Sequence, residues 1–206
     1  MTERKDGPAE SGLHRESFGT QTVQALLEDV AAGTLAPGGI SMAALSGAIS
    51  SALVRLIGSL TAGKAGYEPL TEEMERTVER CRVLQDQLLA LMDQELEAFN
   101  QLVGSLSLPK SAPDEQAIRR DCIRIARRGY TQVPLQIGQL AMEVLALAES
   151  IVRYGNREAI ADSGAAFLMA VAAVKGALLQ VLINLQGQDD EWAEQAHEKV
   201  QKWQSD

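Results

Sequence analysis

The chain has 206 residues, a length that favours one domain or at most two small ones. Its 28 acidic and 19 basic residues give a formal net charge of −9, which argues against non-specific nucleic-acid binding, because that binding depends on basic surface. Hydrophobic residues make up 46% of the chain but aromatic residues only 4%, so we expect a core of small aliphatic side chains between closely packed helices.

The helical pattern is almost continuous from Ser17 onward, and we predict an all-α bundle of about seven helices. Glycine, proline and capping residues set the predicted helix ends. The seven predicted helices cover residues 17–32, 41–62, 71–106, 113–128, 133–154, 162–186 and 189–203. The third would be roughly 50 Å long at the helical rise per residue, so it either breaks or projects against a partner subunit.

The domain organisation predicted is a disordered tail, residues 1–16, followed by a single helical domain, residues 17–206. The tail mixes charge, Gly, Pro and Ser without periodicity, and it has no apolar stretch of the kind found in a secretory signal. The apolar segment 165–185 is long enough to raise a membrane-spanning interpretation. It contains Lys175 near its centre, which is costly in a bilayer, so we expect a buried bundle helix and no membrane partner.

Cysteine and histidine are too scarce to support metal or histidine-based catalysis. Cys81 and Cys122 lie far apart and in no metal-ligand spacing, so we expect no metal site and no disulfide framework, and a cytoplasmic location fits. The two histidines, His14 and His197, each lie near a terminus.

An acidic side chain interrupts the apolar stripe of the third predicted helix. Glu95 falls in the middle of that stripe at 100° per residue, whereas Asp93 and Glu97 point to the opposite face. A carboxylate on a core-facing stripe is costly unless it is paired or belongs to a site. A structural ion pair and a functional carboxylate therefore both remain open.

The sixth predicted helix carries a face that is small in its middle and polar at both ends. Its members are Asp162, Ala166, Met169, Ala173, Gly176, Gln180 and Asn184. Small residues allow close approach of another helix or of a flat ligand, and plain helix packing explains the pattern equally well. Asp162 also suits a helix N-cap.

Two further patterns are suited to anions. The turn Pro37-Gly38-Gly39 precedes a helix start at Ser41, where free backbone N–H groups can hold a carboxylate or phosphate, although such turns are common. Five arginines within residues 119–128 form either a solvated face or an anchor for a polyanionic ligand tail.

The motifs, taken in order, resemble the cyclodeaminase/cyclohydrolase family of tetrahydrofolate enzymes. Pro-Gly-Gly-Ile-Ser at 37–41 is similar to the family's Pro-Gly-Gly-Gly-Ser before a helix of small residues, and 93–99 is similar to its acidic pair before Ala-Phe. Shorter similarities occur at 61–64, 67, 108–110, 133–135, 155–156, 162 and 181–185. The sequence departs from the family pattern at Ile40, Ala161, Gln180 and, more mildly, Glu95. An isoleucine side chain in a ligand-cradling loop is expected to restrict how closely a ligand can approach.

The resemblance implies a helical homodimer or larger assembly that uses a tetrahydrofolate derivative as substrate or one-carbon carrier, without a metal. It implies Glu95 and Asp162 as catalytic residues. The position of Glu95 on an apolar stripe favours it as the protonated acid, and the position of Asp162 near a helix start favours it as the ionised base or cation stabiliser. The implied substrate-binding residues are Pro37, Gly38, Gly39, Ser41, Lys64, Lys110, Gln180 and Asn184. Close contact across the dimer is expected from the small residues of the second helix: Ala43, Gly47, Ser50, Val54 and Gly58.

The family catalyses two related reactions, and both remain open for this chain. A cyclohydrolase adds water to the methenyl carbon, whereas a cyclodeaminase closes the ring and expels ammonia. Each needs proton transfer and a negative site beside a cationic amidinium. A specialised paralogue that passes the carbon to another nucleophile in natural-product biosynthesis, and a non-catalytic dimeric folate-binding or structural bundle, are the alternatives.

Overall fold

The computed structural model describes residues 17–33 and 36–205, and the predicted tail, 1–16, lies outside them. The described part contains six α-helices and no strand. The helices are α1 (Val23–Ala31), α2 (Gly39–Thr61), α3 (Thr71–Leu106), α4 (Pro113–Tyr154), α5 (Ile160–Leu185) and α6 (Glu191–Ser205). Three short 3-10 turns are at Phe18–Thr20, Glu68–Leu70 and Arg157–Ala159. The predicted all-α fold is confirmed.

Helices α2 to α5 form an antiparallel four-helix bundle in which each helix packs against the next and α5 returns to α2. The core between them is aliphatic, and its largest fully buried side chains include Ile57, Leu84, Leu88 and Ile137. Helix α6 covers the outside of α4 and α5, where Ala193, Ala196 and Val200 pack with α5 residues. The low aromatic content is therefore matched by a core of Ala, Leu, Val and Ile.

Helix α4 is continuous over 42 residues, whereas two helices with a break at 129–132 were predicted. The prediction was wrong because Pro134 does not end the helix. Proline removes one backbone hydrogen bond and crowds the preceding turn, but Thr131, Val133 and Leu135 are buried around it. Packing of this segment offsets the lost bond, so the bundle has one helix fewer than expected.

The starts of α1, α5 and α6 differ from the prediction, and capping side chains explain two of them. Thr22 accepts a hydrogen bond from the backbone N–H of Ala25, so α1 begins at Val23 rather than at Ser17. Asp190 accepts one from Ala193, which places the start of α6 at Glu191. Helix α5 begins at Ile160, two residues before Asp162, so Asp162 lies in the first turn and is not the N-cap.

Helix α3 is unbroken over 36 residues, about 54 Å, which confirms its predicted length. It runs antiparallel to the shorter α2, and its C-terminal part extends past the start of α2 together with the beginning of α4. These projecting ends leave Val103, Leu106 and Ile118 exposed. Contact of the long helices with a partner subunit remains a prediction.

The small residues of α2 pack inside the bundle. A Cβ on Gly47 would lie 3.0 Å from Leu88, and one on Gly176 of α5 would lie 2.8 Å from Ala43. Ser50 donates a 2.7 Å hydrogen bond to the carbonyl of Ala166. The small-residue face therefore brings α2 close to α3 and α5 of the same chain, and its expected role as the dimer contact was wrong.

A different face of the same two helices is apolar and exposed. We call it the outer α2–α5 face, defined as Ile49, Leu56, Leu60, Leu168, Met169, Leu179 and Ile183. By length and composition, the segments Gly39–Thr61, Pro113–Tyr154 and Arg157–Leu185 are each apolar enough to cross a membrane. In the most apolar 18-residue stretch of each segment, 56%, 39% and 33% is buried within the chain, respectively. Much of their apolar surface therefore has no partner in the described structure.

Candidate active site

Glu95 is buried where α2, α3 and α4 meet. Its side chain is 1% exposed, and its Oε2 accepts a 3.1 Å hydrogen bond from the hydroxyl of Ser41, which is fully buried. The hydroxyl of Tyr130, on α4, approaches the carboxyl closely enough to lower the pKa of Glu95. Three helices thus each contribute one polar side chain, and the predicted position of Glu95 on the core-facing stripe is confirmed.

The pKa of Glu95 lies above the ordinary value for a glutamate. Burial is the larger influence and raises the pKa, because the charged form loses hydration, whereas the hydrogen bonds from Ser41 and Tyr130 lower it. No salt bridge to Glu95 occurs among the described residues. The structural ion-pair interpretation is therefore not supported, and the carboxyl is held by hydroxyl groups alone.

The glycine turn lies beside this cluster because Ser41 is only two residues into α2. Gly38 is the N-cap, and the carbonyl of Gly38 accepts the first helical bond, from Met42. The backbone N–H groups of residues 39–41 precede this bond, so no helical carbonyl lies one turn back to accept from them. A Cβ on Gly39 would have open space around it. The turn is therefore an accessible group of backbone donors next to Ser41.

Ile40 does not narrow this turn. Its side chain is 3% exposed and belongs to the main hydrophobic core. The expectation that an isoleucine here restricts the approach of a ligand was therefore wrong, because the added side chain points into the protein.

Gln180 and Asn184 lie at the same end of the bundle. Gly176 contacts Ala43, and α5 runs antiparallel to α2, so Gln180 is level with the start of α2. Gln180 donates a 2.8 Å hydrogen bond to Oδ1 of Asn184. In the described part of the chain, Nδ2 of Asn184 is buried without a hydrogen-bond partner. An unpartnered buried amide is costly, which makes it a candidate ligand contact.

Lys64 and Asp162 lie at the opposite end of the same chain. Lys64 lies just after the end of α2. The rise per residue of an α-helix places that end about 30 Å from Ser41. Its ammonium group donates to Asn156 at 2.9 Å and pairs with Glu158 at 2.7 Å. Asp162 is exposed in the first turn of α5, about 20 Å from Glu95 along the bundle. A single chain therefore does not bring these two residues to Glu95 and the turn.

Lys110 and the arginine run lie along the projecting ends of α3 and α4. Lys110 is exposed in the connection between those helices. Arg128 pairs with Asp190, and Arg124 pairs with Asp121 at 3.2 Å. A groove of about 290 Å³ is lined by Arg120, Arg124 and Arg127 together with residues 187–190. Some of the arginines are thus structural partners of nearby carboxylates, and others line an open surface.

Tyr130 is the site residue that sequence reasoning missed. It lies at the predicted break between two helices, so no helix face was assigned to it. Its only signal was its position four residues before Pro134, which becomes informative once α4 is known to be continuous.

No group of three or more His, Cys, Asp or Glu side chains within the described residues is arranged to hold a metal ion. Cys81 is buried, and its burial raises the pKa of the thiol to about 12, so it remains a neutral core residue.

Comparison with known proteins places the chain in a family. A profile of the formiminotransferase-cyclodeaminase family matches residues 22–202. A methenyltetrahydrofolate cyclohydrolase from Methylorubrum extorquens is 35% identical over 172 residues, which cover 84% of this chain and 83% of that protein. This chain belongs to the formiminotransferase-cyclodeaminase family. The family resemblance predicted from the motifs is confirmed.

Other members of the formiminotransferase-cyclodeaminase family differ in length. The formimidoyltransferase-cyclodeaminase of Rattus norvegicus is 29% identical over 82% of this chain, but the match spans only 31% of that longer protein. The crystal structure of formiminotetrahydrofolate cyclodeaminase from Thermotoga maritima has a TM-score of 0.80 and 24% identity, with 90% of this chain and 89% of that chain covered. This structural likeness confirms the fold.

Proposed function

We propose that this chain is a tetrahydrofolate-dependent one-carbon enzyme whose first candidate reaction is hydrolysis of 5,10-methenyltetrahydrofolate. The observation that carries the proposal is the buried Glu95 carboxyl, held by a hydroxyl at the start of the helix that follows the glycine turn. The cyclohydrolase relative supports this reaction because it matches the chain over most of both lengths. Ring closure of 5-formiminotetrahydrofolate is the second candidate, supported by the cyclodeaminase relatives.

In the proposed hydrolysis Glu95 both takes and returns a proton, and Asp162 keeps only the expected role of cation stabiliser. As water adds to the methenyl carbon, a C–O bond forms, the π electrons of the C=N bond go to its nitrogen, and Glu95, in its ionised form, accepts a proton from the water. When a C–N bond of the tetrahedral centre breaks, its electron pair goes to the nitrogen, which receives that proton from Glu95. The hydroxyl on the same carbon becomes the formyl C=O and releases its remaining proton to solvent. Burial raises the pKa of Glu95 and favours the protonated form that returns the proton, whereas the hydrogen bonds from Ser41 and Tyr130 favour the ionised form that accepts it.

The start of α2 is the proposed binding surface for a polar or anionic part of the folate. Backbone N–H groups after Gly38 and the dipole of the 23-residue helix α2 favour negative charge at that position. The buried Nδ2 of Asn184 adds a side-chain donor at the same end of the bundle. Lys110, on the projecting ends of α3 and α4 beyond the start of α2, remains a proposed charge partner from the same chain. Lys64 is a proposed charge partner only if a second subunit brings it to this end.

A homodimer through the outer α2–α5 face would supply Asp162. Soluble monomers rarely expose apolar patches larger than a few hundred Å², and the side chains of this face are 39–65% exposed. In a two-fold symmetric dimer with antiparallel helices, the start of α2 in one subunit faces the start of α5 in the other. Asp162 of the partner subunit would then approach the Glu95 end, as an ionised stabiliser of the cationic substrate.

Turnover of the two folates by the purified chain tests the proposed function. We expect loss of the methenyl absorbance faster than in buffer, or release of ammonia from 5-formiminotetrahydrofolate. Turnover that requires an added nucleophile would support a specialised transferase instead. Tight folate binding without any turnover would support the non-catalytic bundle and contradict the proposal.

A further inference from the structure

Tyr130 contacts Glu95 from α4, and neither the sequence motifs nor the proposed reaction assigns it a role. Its hydroxyl interacts with the Glu95 carboxyl, which also accepts a 3.1 Å hydrogen bond from Ser41 on α2. Its ring is tilted by 57° against Phe99 of α3, with the ring centroids 6.0 Å apart. The ring is thus fixed by packing while its hydroxyl reaches the buried carboxyl.

The backbone around Tyr130 is fixed by burial of the residues that follow it. Thr131 is 1% exposed and its hydroxyl donates a 2.8 Å bond to the carbonyl of Arg127. Pro134 has no N–H to offer the carbonyl of Tyr130, so at this turn tertiary packing rather than the helical ladder holds α4 in place.

Tyr130 is a constant donor to the carboxyl. Burial and the nearby negative charge of Glu95 both raise the pKa of the tyrosine, so its hydroxyl stays protonated. Within the described chain, burial and the hydroxyl groups of Ser41 and Tyr130 set the pKa of Glu95. The acidic residues next to Glu95 on α3 are engaged elsewhere or face solvent: Asp93 accepts a hydrogen bond from the hydroxyl of Ser17, and Glu97 is exposed.

We propose that Tyr130 is a positioning residue that orients the Glu95 carboxyl and keeps its ionised form accessible for accepting a proton from water. Ser41 performs the same task from α2, so hydroxyl groups from two helices converge on the carboxyl. Without Tyr130, the buried carboxyl would retain its proton to higher pH, and only the Ser41 hydrogen bond would fix its orientation. This inference rests on the proposed role of Glu95 in proton transfer.

Tyrosine NMR of the substrate-free protein tests the contact directly. The chain has three tyrosines, Tyr67, Tyr130 and Tyr154, so ring-labelled protein gives three signals that Tyr→Phe variants assign. We expect the Tyr130 signal to move as Glu95 titrates and the movement to vanish in Glu95→Gln. A Tyr130 signal that is independent of pH while the protein stays folded would overturn the proposal.

Kinetics of Tyr130→Phe separate positioning from packing, because phenylalanine keeps the ring. We expect kcat to fall about tenfold with KM nearly unchanged, and the acidic limb of the kcat profile to move up by roughly one pH unit, since a hydrogen bond to the charged form is lost. Tyr154→Phe, at an exposed position, is the matched control and should leave the profile unchanged.

The outcomes distinguish this inference from the proposed function. Glu95→Gln with full turnover would contradict the proposed function and, with it, the kinetic role of Tyr130. Inactive Glu95→Gln combined with a Tyr130→Phe variant of unaltered kcat and pH profile would overturn the positioning role alone.

Discussion

Burial and hydrogen bonding act on the Glu95 carboxyl in opposite directions, and burial is the stronger influence. The protein therefore loses free energy of unfolding when this group ionises in the folded state. The same imbalance favours the protonated form of the carboxyl, which is the form that returns a proton to the substrate in the proposed reaction.

The pH dependence of stability tests this imbalance. The pKa of Glu95 is raised in the folded state. Its contribution to the free energy of unfolding is therefore most favourable below the unfolded-state pKa and is lost as pH rises through the folded-state pKa. Glu95→Gln removes the titration, and we expect its melting temperature to gain on that of the wild type as pH rises through this window. Thermal unfolding at a series of pH values measures the difference. Parallel curves would contradict a raised pKa.

The glycine turn gives a second prediction at the residue scale. Gly38 has φ −130° and ψ −157°, an extended backbone that valine also adopts, so Gly38→Val should fold normally. We expect it to weaken folate binding, because the side chain intrudes beside the free N–H groups. Titration calorimetry with Gly104→Ala, an open position on α3, as the control measures this. Unchanged affinity with intact helical content would exclude the turn from the site.

Residue-level prediction succeeded where one helix was sufficient to define the position. The stripe of α3 placed Glu95 in the core because its neighbours lie on the same helix. The positions of Lys64 and Asp162 relative to Glu95 depend on how α2, α3 and α5 are aligned along one another. The periodicity of a single helix gives no information about that alignment. Tyr130 was missed for a related reason, since its helix face is defined only when α4 is continuous.

Close contact between α2 and α5 is the element-scale feature on which the site end depends. A Cβ on Gly176 would lie 2.8 Å from Cβ of Ala43, whereas one on Gly164 of the same helix would meet open space. An added methyl group at Gly176 therefore tests the packing against α2, whereas one at Gly164 tests helix propensity alone.

Alanine substitutions at these glycines should change stability in opposite directions. We expect Gly176→Ala to destabilise the protein by about 1–3 kcal/mol because it overpacks the contact with α2. Gly164→Ala should stabilise it by about 0.5–1 kcal/mol, since alanine favours a helix over glycine. Urea unfolding measures both. Equal effects of the two substitutions would show that the α2–α5 contact is looser than described.

Helix existence was predicted well, but the continuity of α4 was not. Proline near a glycine is a common helix end in sequence terms, and the predicted break at 129–132 begins at Gly129 and ends two residues before Pro134. Burial of Thr131, Val133 and Leu135 on three-dimensional neighbours overrides that signal. Such compensation depends on contacts between helices, which a single sequence does not specify.

The outer α2–α5 face connects the two ends of the bundle at the scale of the whole molecule. One subunit has Glu95 and the glycine turn at one end and Asp162 at the other. An antiparallel dimer would bring the two ends together, and it would cover apolar side chains that the described chain leaves exposed.

Charge on the outer face should therefore separate the subunits. We expect the wild type to be a dimer of the 22.2 kDa chain and Leu168→Asp to be a monomer with reduced turnover, because a buried unpaired carboxylate is costly. Light scattering and sedimentation measure the mass. Val23→Asp, at an exposed position on α1, is the control, and Ile118→Asp tests the projecting helices.

Three outcomes would contradict this interface. They are a monomeric wild type, dissociation by Ile118→Asp but not by Leu168→Asp, and binding of the wild type to lipid vesicles through the outer face in place of dimerisation.

The turnover of Glu95→Gln relative to the wild type tests the central claim most directly. The substitution keeps the shape of the side chain and removes its ionisable group. We predict that kcat on 5,10-methenyltetrahydrofolate or 5-formiminotetrahydrofolate falls by roughly 10²–10⁴, the usual contribution of general acid–base catalysis, while folding and folate binding persist. Nearly unchanged turnover per folded molecule, with only the melting temperature altered, would contradict the claim and reduce Glu95 to a structural residue.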